Sequence, residues 1–187
     1  MASTGSVVAI KYDQGVLLAT DTLVAYGKMA KMPNVQRTSI LGRHTAFAAT
    51  GDYADYQDMT KTLQDVVADN EMEEDGVQLQ PKNIFSYLHR AVYDKRCDFK
   101  PSLNSFVVVG SSADGEAFLG GVDSIGTKWH EECIATGFGG HYGIPLLRRA
   151  IEVKKGVPLT RAEAKEVLKD CMRTLFYHEC SAVNRVQ

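Results

Sequence analysis

The chain is 187 residues long, 44% apolar and 24% charged, with a formal net charge of −2. That length fits one domain with a sizeable core, and so even a charge balance gives no electrostatic case for nucleic acid, where a basic face is expected. No apolar run approaches the ~20 residues that span a bilayer. The start, Met1-Ala2-Ser3-Thr4-Gly5, lacks the basic residues and apolar stretch of a signal peptide.

Four cysteines, Cys97, Cys133, Cys171 and Cys180, lie far apart and form no CxxC pair. Without a secretory signal they are expected as free thiols in a reducing compartment, not as bridges or zinc ligands. The expectation is a soluble intracellular domain.

The first two apolar runs, Val7-Val8-Ala9-Ile10-Lys11-Tyr12 and Val16-Leu17-Leu18-Ala19-Thr20, flank the turn Asp13-Gln14-Gly15 and predict a β-hairpin. Its second strand ends at Asp21, where a carboxylate could serve a site. Residues 22–33 are polar and glycine-containing. Residues 35–41 and 45–49 predict a second strand pair about Gly42-Arg43-His44. Small residues dominate its second member, so close packing over it is expected.

Thr50-Gly51-Asp52 ends that strand, with Asp52 placed to cap a helix. Tyr53, Tyr56, Met59, Leu63, Val66 and Val67 recur at helical spacing and predict one buried stripe. Glu71-Met72-Glu73-Glu74-Asp75-Gly76 is expected as a solvated acidic loop, since its spacing lacks the regularity of a calcium loop. Pro81 opens a second helix with Ile84, Leu88, Ala91 and Val92 on one face. It runs out near Phe99-Lys100-Pro101.

Residues 104–110 and 116–122 predict strands joined at Ala113-Asp114-Gly115. Residues 124–129 and 132–136 predict two more. Gly137-Phe138-Gly139-Gly140 lacks both the Walker lysine and the Rossmann spacing, so it reads as a tight strand-to-helix turn. The following helix carries Ile144, Leu147 and Ile151 and stops at Gly156 and Pro158. Thr160-Arg161-Ala162-Glu163 is a capping box. It is followed by an apolar stripe of Ala164, Val167, Leu168, Cys171, Met172, Leu175 and Phe176. Residues 182–187 read as the opening of another strand. Hairpins grouped between helix pairs favour an α+β architecture with antiparallel sheets. Strands that bury both faces suit a four-layer αββα stack.

Three segments carry a family resemblance: Gly15-Val16-Leu17-Leu18-Ala19-Thr20-Asp21, Ala49-Thr50-Gly51-Asp52-Tyr53-Ala54-Asp55 and Ala135-Thr136-Gly137-Phe138-Gly139. With an element order matching over the whole chain, they resemble the β-subunits of the proteasome core particle, which have the N-terminal-nucleophile hydrolase fold. Gly51-Asp52-Tyr53-Ala54-Asp55-Tyr56, Asp114-Gly115-Glu116-Ala117-Phe118-Leu119-Gly120, Pro145-Leu146-Leu147-Arg148, Cys171-Met172-Arg173 and Asn184-Arg185 are most similar to the family branch at the seventh position of the β ring.

In that chemistry an N-terminal threonine hydroxyl attacks the peptide carbonyl while its own amine serves as base. A neighbouring lysine and an aspartate support it, and a backbone N–H forms the oxyanion hole. The resemblance puts the aspartate on Asp21, the oxyanion-hole glycine on Gly51, the lysine on Arg37 and a remote aspartate on Glu179. It puts two supporting serines on Phe138 and Ala182, neither of which offers a polar side chain. The nucleophile falls on Gly5. Using Thr4 instead would turn every side chain of the first strand to the opposite face. The resemblance therefore implies a catalytically silent subunit.

It also implies a seven-membered β ring with contacts to other β-subunits, the α ring and the opposite β ring. The role would be structural, in ubiquitin-dependent protein degradation in cytoplasm and nucleus, with no cofactor, metal, nucleic acid or membrane involved. Family members continue past Asn184-Arg185 into further strands and a C-terminal extension, which residues 1–187, taken as a single domain, would lack. Two rivals stand beside this expectation, an active threonine peptidase and a homo-oligomeric bacterial-type relative. For Asp21 and Arg37 the plain alternative is a buried ion pair kept for structure. His44, His89, His130, His141 and His178 share no metal-ligand spacing and are expected as surface or satisfied histidines. Tyr53 and Tyr56 are expected in the core or at a subunit contact.

Overall fold

A computed structural model describes residues 2–73, 76–179 and 182–187. The elements in chain order begin with β1 (Ala2–Thr4), β2 (Val7–Tyr12), β3 (Gly15–Thr20), β4 (Val24–Tyr26), β5 (Met29–Met32), β6 (Thr38–Leu41) and β7 (Thr45–Asp52). Helices α1 (Tyr53–Met72) and α2 (Pro81–Cys97) follow, then β8 (Asn104–Ser111), β9 (Ala117–Val122), β10 (Lys128–His130) and β11 (Cys133–Thr136). Helices α3 (Gly139–Val153) and α4 (Arg161–His178) come last. The larger sheet runs β10-β9-β8-β7-β1-β4-β5, with β6 also paired to β7, and the smaller runs β11-β2-β3. Every pairing is antiparallel.

Period-2 alternation explains the layers. On β2, Val8 and Ile10 pack with Leu147, Leu168, Cys171 and Leu175 of α3 and α4. Val7 and Ala9 face the other way, into a seam with Ala48, Val107, Val109 and Leu119 of the larger sheet. On the far side of that sheet Phe47, Ala49, Phe106 and Val108 meet Tyr56, Met59 and Leu63 of α1 and Ile84, Leu88 and Val92 of α2. The result is the expected αββα sandwich. No described helix is long and apolar enough to cross a membrane.

Several element limits differ from expectation. Within residues 22–33, β4 and β5 form a hairpin about Gly27-Lys28, and Gly27 takes φ +58° at the first central turn position. Strand β1 was not anticipated, because the three small residues Ala2-Ser3-Thr4 carry no periodicity. The strand expected over 35–41 starts at Thr38. The one expected over 124–129 shrinks to β10, because the Asp123 carboxylate accepts from the Ile125 and Thr127 amides and holds a turn. Residues 182–187 make a single bridge, Val186 to Asp21, with two Thr20–Gln187 backbone bonds, in place of a full strand.

The caps behave as read. Asp52 accepts from the Ala54 amide, and Thr160 with Glu163 completes the capping box of α4. The acidic segment 71–76 is helical through Met72; Glu74 and Asp75 lie outside the described residues. Tyr56 is core, while Tyr53 is half-buried and Phe176 is exposed despite its place in the α4 stripe. Cys97, Cys133 and Cys171 are free thiols, and Cys180 falls outside the described residues.

Candidate functional site

The chain crosses from the larger sheet to the smaller one at Gly5-Ser6, between β1 and β2. Around that crossing the fold gathers Asp21 from the end of β3, Arg37 from just before β6, and Glu179 from the end of α4. The α4 backbone turns extended at Glu179, whose N–H still donates to the Leu175 carbonyl. This C-cap geometry directs the carboxylate inward.

Arg37 is the centre of the cluster, only 1% exposed. One guanidinium nitrogen pairs with the Asp21 carboxylate and the other donates to the carbonyls of Gly5, at 2.6 Å, and Ala49, at 3.2 Å. Its Nε finds no hydrogen-bond partner among the described residues. The Asp21 carboxylate also accepts from the Leu23 amide. Ser6 donates from Oγ to Glu179 Oε2 at 2.8 Å, and the same Oγ accepts from the Gly139 amide at 2.9 Å. Ser6 thus links strand, helix end and the Gly137-Phe138-Gly139-Gly140 turn, a role invisible in its sequence position except that it follows Gly5.

Burial pushes both carboxyls above their ordinary range. At Asp21 the Arg37 charge and backbone N–H groups oppose the rise. At Glu179 the Ser6 bond and Arg37 oppose it, while the Asp21 charge adds to it. Burial lowers Arg37, yet a guanidinium stays charged in proteins. The cluster therefore holds two carboxyls against one fixed cation. Outside it, burial pushes the Cys171 thiol up to about 12, so that thiol is inert at neutral pH.

The remaining candidates separate from this cluster in different ways. Gly51 sits at φ +113°, and a Cβ there would come within 2.0 Å of the Leu103 carbonyl oxygen, so only glycine fits the close approach of β7 to residue 103. Phe138 is half-exposed at the start of α3, and Ala182 is partly buried. The Thr4 hydroxyl lies 3.2 Å from the carbonyls of Ala49 and Gly51. The observed β2 register leaves no room for a slip, since it would exchange Val7 and Ala9 with Val8 and Ile10 between two filled cores. Of the five histidines, Tyr142 stacks on His178 at 4.7 Å and His130 packs on Phe85 and Phe118. No group of three metal-ligating side chains forms among the described residues.

Chemically, the cluster offers charge, hydrogen bonds and the Ser6 hydroxyl, which is already engaged with Glu179 and the Gly139 amide. Residue 5 has no side chain, and a guanidinium such as that of Arg37 does not exchange a proton near neutral pH.

The proteasome family, described as "Proteasome subunit", matches residues 1–187. The chain belongs to the proteasome subunit family. It is 38% identical over 182 residues to proteasome subunit beta type-4 of Dictyostelium discoideum, covering 97% of this chain and 69% of that protein. The corresponding protein of Xenopus laevis is 38% identical over 187 residues, covering 100% of this chain and 76% of its own length. Proteasome subunit beta type-7 of Saccharomyces cerevisiae is 34% identical over 179 residues, covering 93% and 67%. Both names fall on the β side of the proteasome subunit family.

Proposed function

We propose that the chain is a non-catalytic, structural β-subunit of the proteasome core particle. It would close the degradation chamber and position catalytic neighbours in ubiquitin-dependent proteolysis, in cytoplasm and nucleus. The observation carrying this reading is the cluster around residue 5: supporting charges at Asp21 and Arg37 surround a position with no side-chain hydroxyl. Arg37 and Glu179 stand where the family resemblance calls for lysine and aspartate, and Phe138 and Ala182 where it calls for serines. Arg37 keeps a positive charge there while binding the Gly5 carbonyl, which favours a structural tie over proton transfer.

The partners follow from the same reading: adjacent β-subunits, the α ring and the opposite β ring. The experiment is native purification of the complex, mass spectrometry of its subunits, and labelling with a threonine-directed covalent inhibitor. The expected result is a hetero-oligomer of α- and β-chains in which this subunit carries no adduct. An inhibitor adduct on this chain, or a ring built from this polypeptide alone, would overturn the proposal.

A further inference from the structure

Residue 5 has no side chain, and the space a side chain would take is already filled. Gly5 does not lie at positive φ, so its backbone conformation alone does not demand glycine. A Cβ built on it would nevertheless stand 2.7 Å from Glu179 Oε1, 3.4 Å from Glu179 Cδ and 3.3 Å from Asp21 Oδ1. A distance of 2.7 Å lies well inside carbon–oxygen contact, so something must move.

The end of a glutamate normally swings aside at little cost. This one is tethered. Glu179 is buried, its Oε2 accepts from Ser6, and Ser6 is fixed in turn by the Gly139 amide. On the other side Asp21 is held by Arg37 and the Leu23 amide. Neither carboxylate can retreat without leaving a buried polar group unpaired.

We infer that Glu179 is a blocking residue: its carboxylate occupies the side-chain place of residue 5 and keeps any nucleophile out of it. The site is then closed twice, by the absence of a hydroxyl and by the occupation of its volume. This inference rests on the reading that residue 5 stands at the nucleophile's position. Glutamate achieves the block through its length. An aspartate at 179 would withdraw the carboxylate by roughly 1.5 Å, one C–C bond, and free the space.

The test is a mutant cycle in the complete chain, read as thermal midpoint, with Gly5→Ala, Glu179→Asp, the double variant, and Gly5→Ala combined with Glu179→Gln. Gly5→Ala should lower the midpoint by about 2–12 °C, the shift that overpacking gives in a domain of this length. Glu179→Asp should recover at least half of that loss, whereas Glu179→Gln, equal in length and uncharged, should recover none. If Gly5→Ala does not fold, the double variant with Glu179→Asp should fold where the single one fails. A Gly5→Ala chain as stable as its parent, an equal loss in the Glu179→Asp background, failure of both to fold, or equal rescue by Glu179→Gln would each overturn the inference. An inhibitor adduct would defeat the non-catalytic reading and leave this cycle unaffected, so the two failures are distinguishable.

Discussion

Arg37 serves two buried carboxyls and three main-chain carbonyls, those of Gly5, Asp21 and Ala49, which makes it the residue whose loss the cluster tolerates least. Arg37→Met would leave both carboxyls without their cation, and breaking a buried pair from one side costs about 3–5 kcal/mol. Arg37→Lys keeps the charge but not the fork. It should cost less, about 1–3 kcal/mol, since fewer of the Asp21, Gly5 and Ala49 acceptors would stay satisfied. Denaturant midpoints of the two variants give the comparison, and equal losses would show that the fork geometry contributes nothing.

The pH response of Glu179 has a definite sign. Its folded-state value is raised above the ~4.3 of an unfolded chain, chiefly by burial. The stability it contributes is therefore complete below that unfolded value and is lost as pH rises through the folded one. Removing the carboxyl with Glu179→Gln should flatten the fall in stability as pH rises above the ordinary carboxylate range. An unchanged slope in denaturation midpoints over that rise would refute the assignment. The Arg37 and Glu179 positions could be found from the sequence because the resemblance pointed to them. The grip of Arg37 on the Gly5 and Ala49 carbonyls could not, since main-chain acceptors leave no mark in side-chain pattern.

Among the elements, legibility followed the strength of local signals. The long helices, with their caps at Asp52 and Thr160 and the Pro81 start of α2, declare themselves through side chains that act on their own backbone. The β4–β5 hairpin was harder to see because its strands are three and four residues long. The pair Gly27-Lys28 between Tyr26 and Met29 was the available clue, a glycine placed where a two-residue turn requires positive φ.

Gly51 was named for its family role, but the close approach of the Leu103 carbonyl gives it a structural requirement as well. Gly51→Ala should destabilise by more than about 3 kcal/mol, since a left-handed backbone and a direct main-chain clash combine there. A Gly51→Ala chain within 1 kcal/mol of the parent would exclude the clash.

At the scale of the whole molecule, the layer order was legible because the alternation along β2, β7 and β8 assigns each strand two buried faces. The partition of strands between the sheets was less so, because it depends on long-range pairings such as that of β11 with β2. The crossing at Gly5-Ser6 matters at this scale too. Arg37 pairs with Asp21 at the end of β3 in the smaller sheet and donates to the Ala49 carbonyl of β7 in the larger, so the charged cluster also fastens the inner layers.

Strand β1 gives that architecture an unequal weakness. Among the described residues, β4 and β5 connect to β7 in the larger sheet through Ala2–Thr4, with Ser3 opposite both Ala25 and Asp52. Ser3→Pro removes a donor and restricts the backbone at the centre of that link. Hydrogen exchange over residues 24–32 should then rise while the buried turns of α4 keep their protection. Equal loss of protection in both regions would mean that the hairpin does not open on its own. The exposed side chains of Tyr26 and Met29 ride on that hairpin. The surface they form is therefore conditional, maintained by a three-residue tether and released by its loss without the core having to melt.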